Sequence, residues 1–130
     1  MAYIFPSAEW TEQFNNAINS SDAYASAAKN WEGDIILVID GEGGIYLDLW
    51  HGECREASAI TDENEKSPKY RIFGPFTNMR QILDKKVDPV QSMMTGKIKV
   101  KGDMAQIMKM PRAAVELVNC MTAFETVFPD

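Results

Sequence analysis

A continuous stretch, residues 88–110 with the sequence DPVQSMMTGKIKVKGDMAQIMKM, constrains the fold more than any other part of the chain. Asp88 can cap a helix that begins at Pro89, because the N-cap carboxylate accepts hydrogen bonds from unpaired backbone N–H groups and proline has no N–H to satisfy. Gly96 can end that helix in a left-handed turn. Lysines then alternate with apolar residues over residues 97–101, which is typical of a half-buried strand.

The same stretch predicts a second helix after the strand. Gly102 interrupts the alternation, and Asp103 can cap a helix that continues to about Met110. Gln91 and Gln106 each follow a capping aspartate by three residues, which is the spacing of a capping box. We therefore expect a helix–glycine–strand–glycine–helix unit here.

The remaining sequence predicts helices towards both ends of the chain and strands between them. We expect helices that begin after Ser7 and at residues 20–22, one over residues 76–87, and a final helix from Pro111 to about Phe128. Strands are predicted over residues 35–39, 45–50, 53–60 and 69–73, with an exposed polar loop over residues 61–68. A short glycine-rich turn separates the first two strands, so they should be antiparallel neighbours. The pattern indicates an α+β fold with four or five mostly antiparallel strands and helices on one face.

Part of this pattern resembles a known family. The run TGKIKVKGDMAQIMKM, preceded by DPVQSM, is similar to the signature of the sterol carrier protein type-2 (SCP2) domain. The residues Trp31-Glu32-Gly33, the strand after them and the hairpin through Gly43 and Gly44 extend the resemblance over about residues 31–110. The resemblance implies a five-stranded sheet with helices over one face and an apolar tunnel between them. It also implies binding of a fatty acid, a fatty acyl-CoA or a sterol-like lipid, without catalysis.

Length and composition predict a single globular domain over residues 1–130. Apolar residues make up 45% of the chain and charged residues 25%, which is ordinary for a soluble protein with one core. No apolar run approaches the roughly 20 residues that span a bilayer, and the start of the chain lacks the features of a signal peptide. We therefore expect a cytoplasmic protein.

The charge is acidic and unevenly distributed. The net charge of −6 argues against nucleic acid as a partner. Residues 1–66 carry 13 acidic and 3 basic side chains, a net −10, whereas residues 67–130 carry 6 acidic and 10 basic ones, a net +4. Such asymmetry can mark a surface for an anionic partner, although halves of a sequence are not halves of a surface.

The residues that could carry catalysis or hold a metal are sparse. His51, the only histidine, stands beside Gly52 in a predicted hairpin turn, where no nucleophile or cleft is indicated. Cys54 and Cys120 lack metal-ligand spacing, and two reduced thiols are favoured over the alternative of a disulfide between them. We expect no enzyme activity, no metal and no cofactor.

The methionines suggest a ligand site. Apart from Met1, all of them follow residue 78. Methionine is flexible and polarizable, so it suits either an irregular core or a surface that accepts variable apolar ligands, and the family resemblance favours the second. The predicted lining residues are Phe76, Met93, Met104, Ile107, Met108, Leu117, Met121 and Phe124.

Three lysines leave a functional and a structural interpretation open. Lys97, Lys99 and Lys101 share one face of the predicted strand. They can bind an anionic head group, a coenzyme A phosphate or a bilayer in transient contact, or they can keep an exposed sheet edge soluble. The partner we expect is a small apolar lipid, and the oligomeric state, a homodimer included, is left open.

Two other functions compete with lipid binding. A small enzyme with an apolar pocket could use a buried carboxylate with a raised pKa, and Asp34, Asp40 and Asp48 lie on or beside strands. An accessory or interaction domain of a larger lipid-metabolising system would instead have a collapsed, self-filled interior.

Overall fold

The computed structural model describes residues 3–5, 7–39, 43–60 and 68–127. In chain order its elements are β1 (Tyr3–Ile4), α1 (Ala8–Asn19), α2 (Asp22–Ala27), β2 (Glu32–Ile39), β3 (Gly43–Trp50), β4 (Glu53–Ile60), β5 (Tyr70–Gly74), α3 (Phe76–Leu83), α4 (Pro89–Met94), β6 (Lys99–Lys101), α5 (Met104–Lys109), α6 (Pro111–Met121) and β7 (Thr126–Val127). None of the described helices is long and apolar enough to cross a membrane.

The main sheet has five strands in the order β4-β3-β2-β5-β6. As predicted, β2 and β3 are antiparallel neighbours, with Ile35 opposite Leu47. β4 and β6 also pair antiparallel with their neighbours, whereas β5 returns beside β2 in the parallel direction. The predicted α+β class with a mostly antiparallel five-stranded sheet is confirmed. Of the loop predicted over residues 61–68, all but Pro68 lies outside the described residues.

The two faces of this sheet have different surroundings. On the core face, Ile35, Ile45 and Leu47 are buried and belong to one cluster with helical residues such as Trp10 and Ile107. Successive strand residues point to opposite faces, so the intervening positions form the outer face, on which the charged side chains lie. The helices therefore cover one face of the sheet.

The first helix illustrates how the sequence fixes its own ends and its buried side. The Ser7 side chain accepts a hydrogen bond from the backbone N–H of Trp10, which makes it the N-cap. Trp10, Phe14 and Ile18 recur at helical spacing and have no exposed surface. Burying these three large side chains anchors α1 to the rest of the core.

The helix–strand–helix unit forms with the predicted caps. The Asp88 side chain accepts from the N–H of Gln91, and the Asp103 side chain accepts from the N–H of Ala105. Gly96 follows α4 with a φ of +81°, the left-handed conformation expected of it. The strand is shorter than predicted, because the N–H of Ile98 bonds to the carbonyl of Ser92 at the end of α4.

Two helix ends and both predicted capping boxes differ from the prediction. Within the described residues, Gln91 bonds to the Asp88 side chain through its backbone N–H, and its own side chain does not reach back to the N–H of Asp88. α3 ends at Leu83 rather than at residue 87, and Lys85 has a φ of +60° that a helix cannot accommodate. α6 ends at Met121 rather than near Phe128. Directly after Met121, the Thr122 hydroxyl donates a hydrogen bond back to the carbonyl of Asn119. Gln106 does not close its capping box, because its side-chain amide donates to the backbone carbonyl of Glu32.

The unpredicted strands β1 and β7 bring together the two ends of the described chain. They pair in parallel, with Tyr3 opposite Thr126 and Ile4 opposite Val127. The indole N–H of Trp10 donates to the Thr126 hydroxyl at 3.0 Å and ties β7 to α1. Because of this pairing, the backbone of the segment after α6 is hydrogen-bonded to β1 instead of continuing the helix.

Candidate functional site

An apolar cavity of about 110 Å³ lies between the core face of the sheet and the helices. Its wall combines residues on or next to the strands with residues from α2, α3, α4, α5 and α6. The wall residues are Phe5, Tyr24, Trp31, Ile35, Leu37, Leu49, Ile72, Met79, Ile82, Leu83, Pro89, Met93, Ile98, Ile107, Met110, Ala113, Ala114, Leu117 and Met121.

The size of the cavity limits what it can hold without rearrangement. A dry cavity of about 150 Å³ is enough to bind benzene. At 110 Å³ the space is smaller than that benzene cavity, so a long lipid requires wall side chains to move. Met79, Met93, Met110 and Met121 are four wall residues whose unbranched side chains can change rotamer at low energetic cost.

Among the described residues that form the wall, none has a side chain that is charged at neutral pH. The titratable member of the wall is Tyr24, whose pKa is raised chiefly by burial and further by the nearby thiols of Cys54 and Cys120. Burial also raises the pKa of Cys54 to about 12, and both cysteines are free and buried. A ligand in this cavity therefore meets neutral groups.

The carboxylates considered for an enzyme lie away from this wall. Asp34 and Asp48 are cross-strand partners on the outer face of the sheet. Asp34 accepts a hydrogen bond from the hydroxyl of Tyr46 at 2.9 Å, and Asp48 pairs with Arg55 at 3.0 Å. Asp40 lies outside the described residues. Neither described carboxylate is positioned to act on a molecule in the cavity.

Four of the eight predicted lining residues lie on the wall: Met93, Ile107, Leu117 and Met121. They come from three helices, α4, α5 and α6, which the fold brings to one side of the cavity. Their placement agrees with the apolar stripes in the sequence, while ligand contact by these residues stays a prediction.

The other four predicted residues lie off the wall. Phe76 and Met104 are half-buried and pack against the core, with the Phe76 ring centroid 6.2 Å from that of Phe5. Met108 has 41% of its surface exposed. Phe124 lies beyond the end of α6 and packs against Trp10, with their ring centroids 5.4 Å apart.

A second hollow of about 180 Å³ adjoins the cavity. It is lined by Leu83, Asp84, Met121, Thr122, Phe124 and Thr126. Leu83 and Met121 belong to both linings, so these two side chains separate one space from the other.

The sequence prediction of the lining did not include the wall residues that lie on the sheet. Ile35, Leu37, Leu49 and Ile72 line the cavity from β2, β3 and β5. Their alternation along the strands was visible, but it identifies a buried face and does not distinguish packed positions from those beside a void. Identifying these four residues would have required the register in which the strands pair.

His51 is part of a surface turn. Its Nε2 atom lies 2.6 Å from Oε2 of Glu32, and both side chains are about half exposed. Within the described ranges, no group of three histidine, cysteine or acidic side chains could hold a metal ion. This arrangement is a surface hydrogen bond between His51 and Glu32, and the described residues place no side-chain nucleophile in hydrogen-bond contact with His51.

Two of the three lysines lie together on the outer face. Lys101 is opposite Arg71 and Lys99 is opposite Phe73, so β6 forms a basic edge of the sheet with β5 beside it. Lys97 precedes the strand, and its carbonyl accepts from the side chain of Asn78. The basic edge thus consists of Lys99, Lys101 and Arg71.

Comparisons with known proteins agree with the fold. Residues 12–114 match the model of the SCP-2 sterol transfer family. None of the curated proteins matches the sequence.

Solved structures of sterol carrier proteins are similar to this chain over most of its length. A crystal structure of sterol carrier protein 2 is 29% identical with a TM-score of 0.83, and the match covers 91% of this chain and 97% of that one. A conserved hypothetical protein of Thermus thermophilus, described as possibly a sterol carrier protein, is 28% identical with a TM-score of 0.82, over 93% of this chain and 90% of that one.

A more distant structure shares the fold alone. Sterol carrier protein 2 from Yarrowia lipolytica, in its apo form, is 18% identical with a TM-score of 0.58, over 86% of this chain and 88% of that one. The family match spans most of the sequence, and the solved structures agree with the α+β fold. The chain belongs to the SCP-2 sterol transfer family, whose domains generally bind or transfer lipids.

Proposed function

We propose that this protein binds a single apolar lipid between its sheet and its helices and carries it without catalysis. The ligand is a fatty acid, a fatty acyl-CoA or a sterol-like molecule. The observation that carries the proposal is the uncharged apolar cavity at the sheet–helix boundary of a chain from the SCP-2 family.

The driving force is transfer of hydrocarbon from water to the apolar wall. Each buried methylene contributes about 0.8 kcal/mol, so a chain of ten methylenes gains roughly 8 kcal/mol before the cost of ordering it. The present volume is too small for such a chain, so the wall methionines move as the ligand enters. Displacement of Met121 then joins the cavity to the adjoining hollow and produces a tunnel.

The eight predicted lining residues take different positions in this mechanism. Met93, Ile107, Leu117 and Met121 contact the lipid directly. Phe124 lines the adjoining hollow, through which the lipid enters. Phe76 and Met104 do not contact the lipid and pack against the core that supports the wall. Met108, which is 41% exposed, lies at the surface and contacts a lipid only during entry.

Transfer also requires contact with the source or the acceptor of the lipid. The basic edge supplies cationic side chains for an anionic head group, a coenzyme A phosphate or transient contact with a membrane. We further propose that the protein acts as a single domain in the cytoplasm, in agreement with its two free thiols, and that a homodimer is one of its states.

One observation favours an accessory or interaction domain as a second function. The cavity holds only about 110 Å³, and a domain that fills its own interior would have a space of that order. In that case the protein belongs to a larger lipid-metabolising system and does not carry lipid itself.

Mass spectrometry of an organic extract from the purified native protein separates the two functions. We expect one lipid species in near-stoichiometric amount, and we expect the Leu117→Trp variant, purified in parallel, to lack it. An extract without lipid, from protein that also fails to take up added acyl ligand, would support the accessory domain.

A further inference from the structure

Two wall residues, Tyr24 and Trp31, carry a nitrogen or oxygen in their side chains. The indole N–H of Trp31 is already used, since it donates to the carbonyl of Gly33 at 2.9 Å. Tyr24 bonds through its backbone, to the side chain of Ser21 and to the N–H of Ala28, and its hydroxyl has no hydrogen-bond partner among the described residues. Native proteins pair nearly all buried polar groups, so this hydroxyl requires an explanation.

The Tyr24 hydroxyl borders the open space of the cavity. Among the described side chains, the hydroxyl of Tyr70 is the single nitrogen or oxygen that is both fully enclosed by protein atoms and unpaired. The Tyr24 hydroxyl is also unpaired, so it is not fully enclosed. Because Tyr24 is only 2% exposed and forms part of the cavity wall, the space beside its hydroxyl is the cavity.

The backbone of α2 holds Tyr24 in position. Ser21 caps this helix by accepting a hydrogen bond from the N–H of Tyr24 at 3.0 Å. The turn between β3 and β4 lies directly against the next residue, since a Cβ atom at Gly52 would come within 2.7 Å of the carbonyl oxygen of Ala25. Gly52 has a φ of +85°, which glycine adopts readily. The hydroxyl is therefore placed at the wall before a ligand arrives.

The surroundings of the Tyr24 hydroxyl are neutral. The pKa of Tyr24 is raised, chiefly by burial and further by the nearby thiols of Cys54 and Cys120. Burial raises the pKa of both thiols as well, so all three groups keep their protons at neutral pH. No described side chain of the wall is charged. A ligand oxygen that reaches this site therefore meets a hydrogen-bond donor and no cation of the wall.

Building on the proposed function, we infer that the Tyr24 hydroxyl selects the lipid by donating a hydrogen bond to an uncharged oxygen that enters the cavity. A hydroxyl or a carbonyl oxygen fits the site. An ionised carboxylate fits less well, because the wall supplies no cation to offset the loss of its hydration. Of the proposed ligands, a neutral sterol-like molecule or an uncharged derivative of an acyl chain is therefore preferred over an ionised fatty acid.

The test measures the Kd of 1-decanol, decane and decanoate for the full-length protein at neutral pH, by equilibrium dialysis in methyl-β-cyclodextrin solution. Tyr24→Phe should weaken 1-decanol binding about 3- to 10-fold, the effect of one neutral hydrogen bond, and leave decane binding unchanged. Decanoate should bind the parent more weakly than 1-decanol does. The melting temperature of unliganded Tyr24→Phe should equal or exceed that of the parent, because no hydrogen bond is lost.

Tyr70→Phe is the matched control. It also removes a buried, unpaired hydroxyl, but Tyr70 is not a wall residue, so binding of all three ligands should stay unchanged. Equal loss of decanol and decane binding in Tyr24→Phe would overturn the inference and make Tyr24 a packing residue. Unchanged decanol binding in Tyr24→Phe, a loss in Tyr70→Phe instead, or decanoate binding as tight as that of decanol would also overturn it while leaving the proposed function intact. A parent protein that binds none of the ligands would end both.

Discussion

Met121 lies between the cavity and the adjoining hollow, and its surroundings make its substitution informative. It belongs to both linings, so its side chain already faces open space on two sides. Leu47, in contrast, is fully buried in the core cluster and is not a wall residue. The free energy of a void depends on how much of it the substitution creates, which makes these two residues a matched pair.

We predict that Met121→Ala lowers the free energy of unfolding by less than about 2 kcal/mol, whereas Leu47→Ala lowers it by about 2–5 kcal/mol. Chemical denaturation of both variants measures the two values. Equal costs would mean that the interior around Met121 is packed as tightly as the centre of the sheet.

Substitutions at two glycines distinguish the cost of backbone strain from the cost of a steric clash. Gly96 has a φ of +81° with open space where a Cβ would lie, while Gly102 has a φ of +139° and a Cβ there would meet the Tyr70 ring and the carbonyl of Lys69. We predict that Gly96→Ala costs about 1 kcal/mol and Gly102→Ala clearly more, because the second adds a clash to the strain. Thermal melts of the two variants test the order, which would be reversed if the Tyr70 ring could move aside.

At the scale of secondary structure, local chemistry could be read from the sequence and long-range pairing could not. Ser7, Asp88 and Asp103 were recognisable as caps because the groups they bond lie within three residues. The end of α6 was misjudged because Thr126 and Val127 pair with residues near the other end of the chain. No periodicity reveals a partner so distant in sequence.

The same distinction explains the partial success with the site. Stripes on α4, α5 and α6 identified Met93, Ile107, Leu117 and Met121, since helical spacing alone shows which side is buried. The sheet half of the wall, such as Ile35 and Ile72, depends on the parallel pairing of β2 with β5. That pairing is set by tertiary structure and leaves no local signal.

The edge strand β6 provides a prediction about membranes. If the basic edge and Lys97, which precedes it, contact an anionic surface, changing Lys97, Lys99 and Lys101 to glutamate should weaken association with phosphatidylserine-containing vesicles and flatten its salt dependence. Sedimentation with vesicles at low and high salt measures both effects. Lys85 and Lys86 changed to glutamate are a charge control outside the sheet, and binding that is unaffected by the triple substitution would leave only a role in solubility.

At the scale of the whole molecule, the arrangement of layers produces the cavity. The sheet presents one apolar face, the helices cover it, and a cavity with four methionines in its wall lies between the layers. Such a space is costly in a packed core, so its presence in an SCP-2 family chain agrees with a role in binding.

Bulky residues on α6 should distinguish an open space from a packed one. Ala114 and Leu117 both lie on the wall. In an open space, Ala114→Trp or Leu117→Trp inserts its ring into the void with little loss of stability and blocks the ligand. In a solid core either change would overpack the interior and cost about 1–3 kcal/mol.

The melting temperature with and without a long-chain acyl ligand tests lipid binding most directly, in the parent and in Leu117→Trp side by side. A ligand at a hundred times its Kd stabilises the native state by about 2.7 kcal/mol, so the parent should melt about 10 °C higher with ligand. Leu117→Trp should melt near the unliganded parent and should not respond to the ligand. A parent whose melting temperature ignores the ligand, together with a destabilised Leu117→Trp, would contradict lipid binding in this cavity.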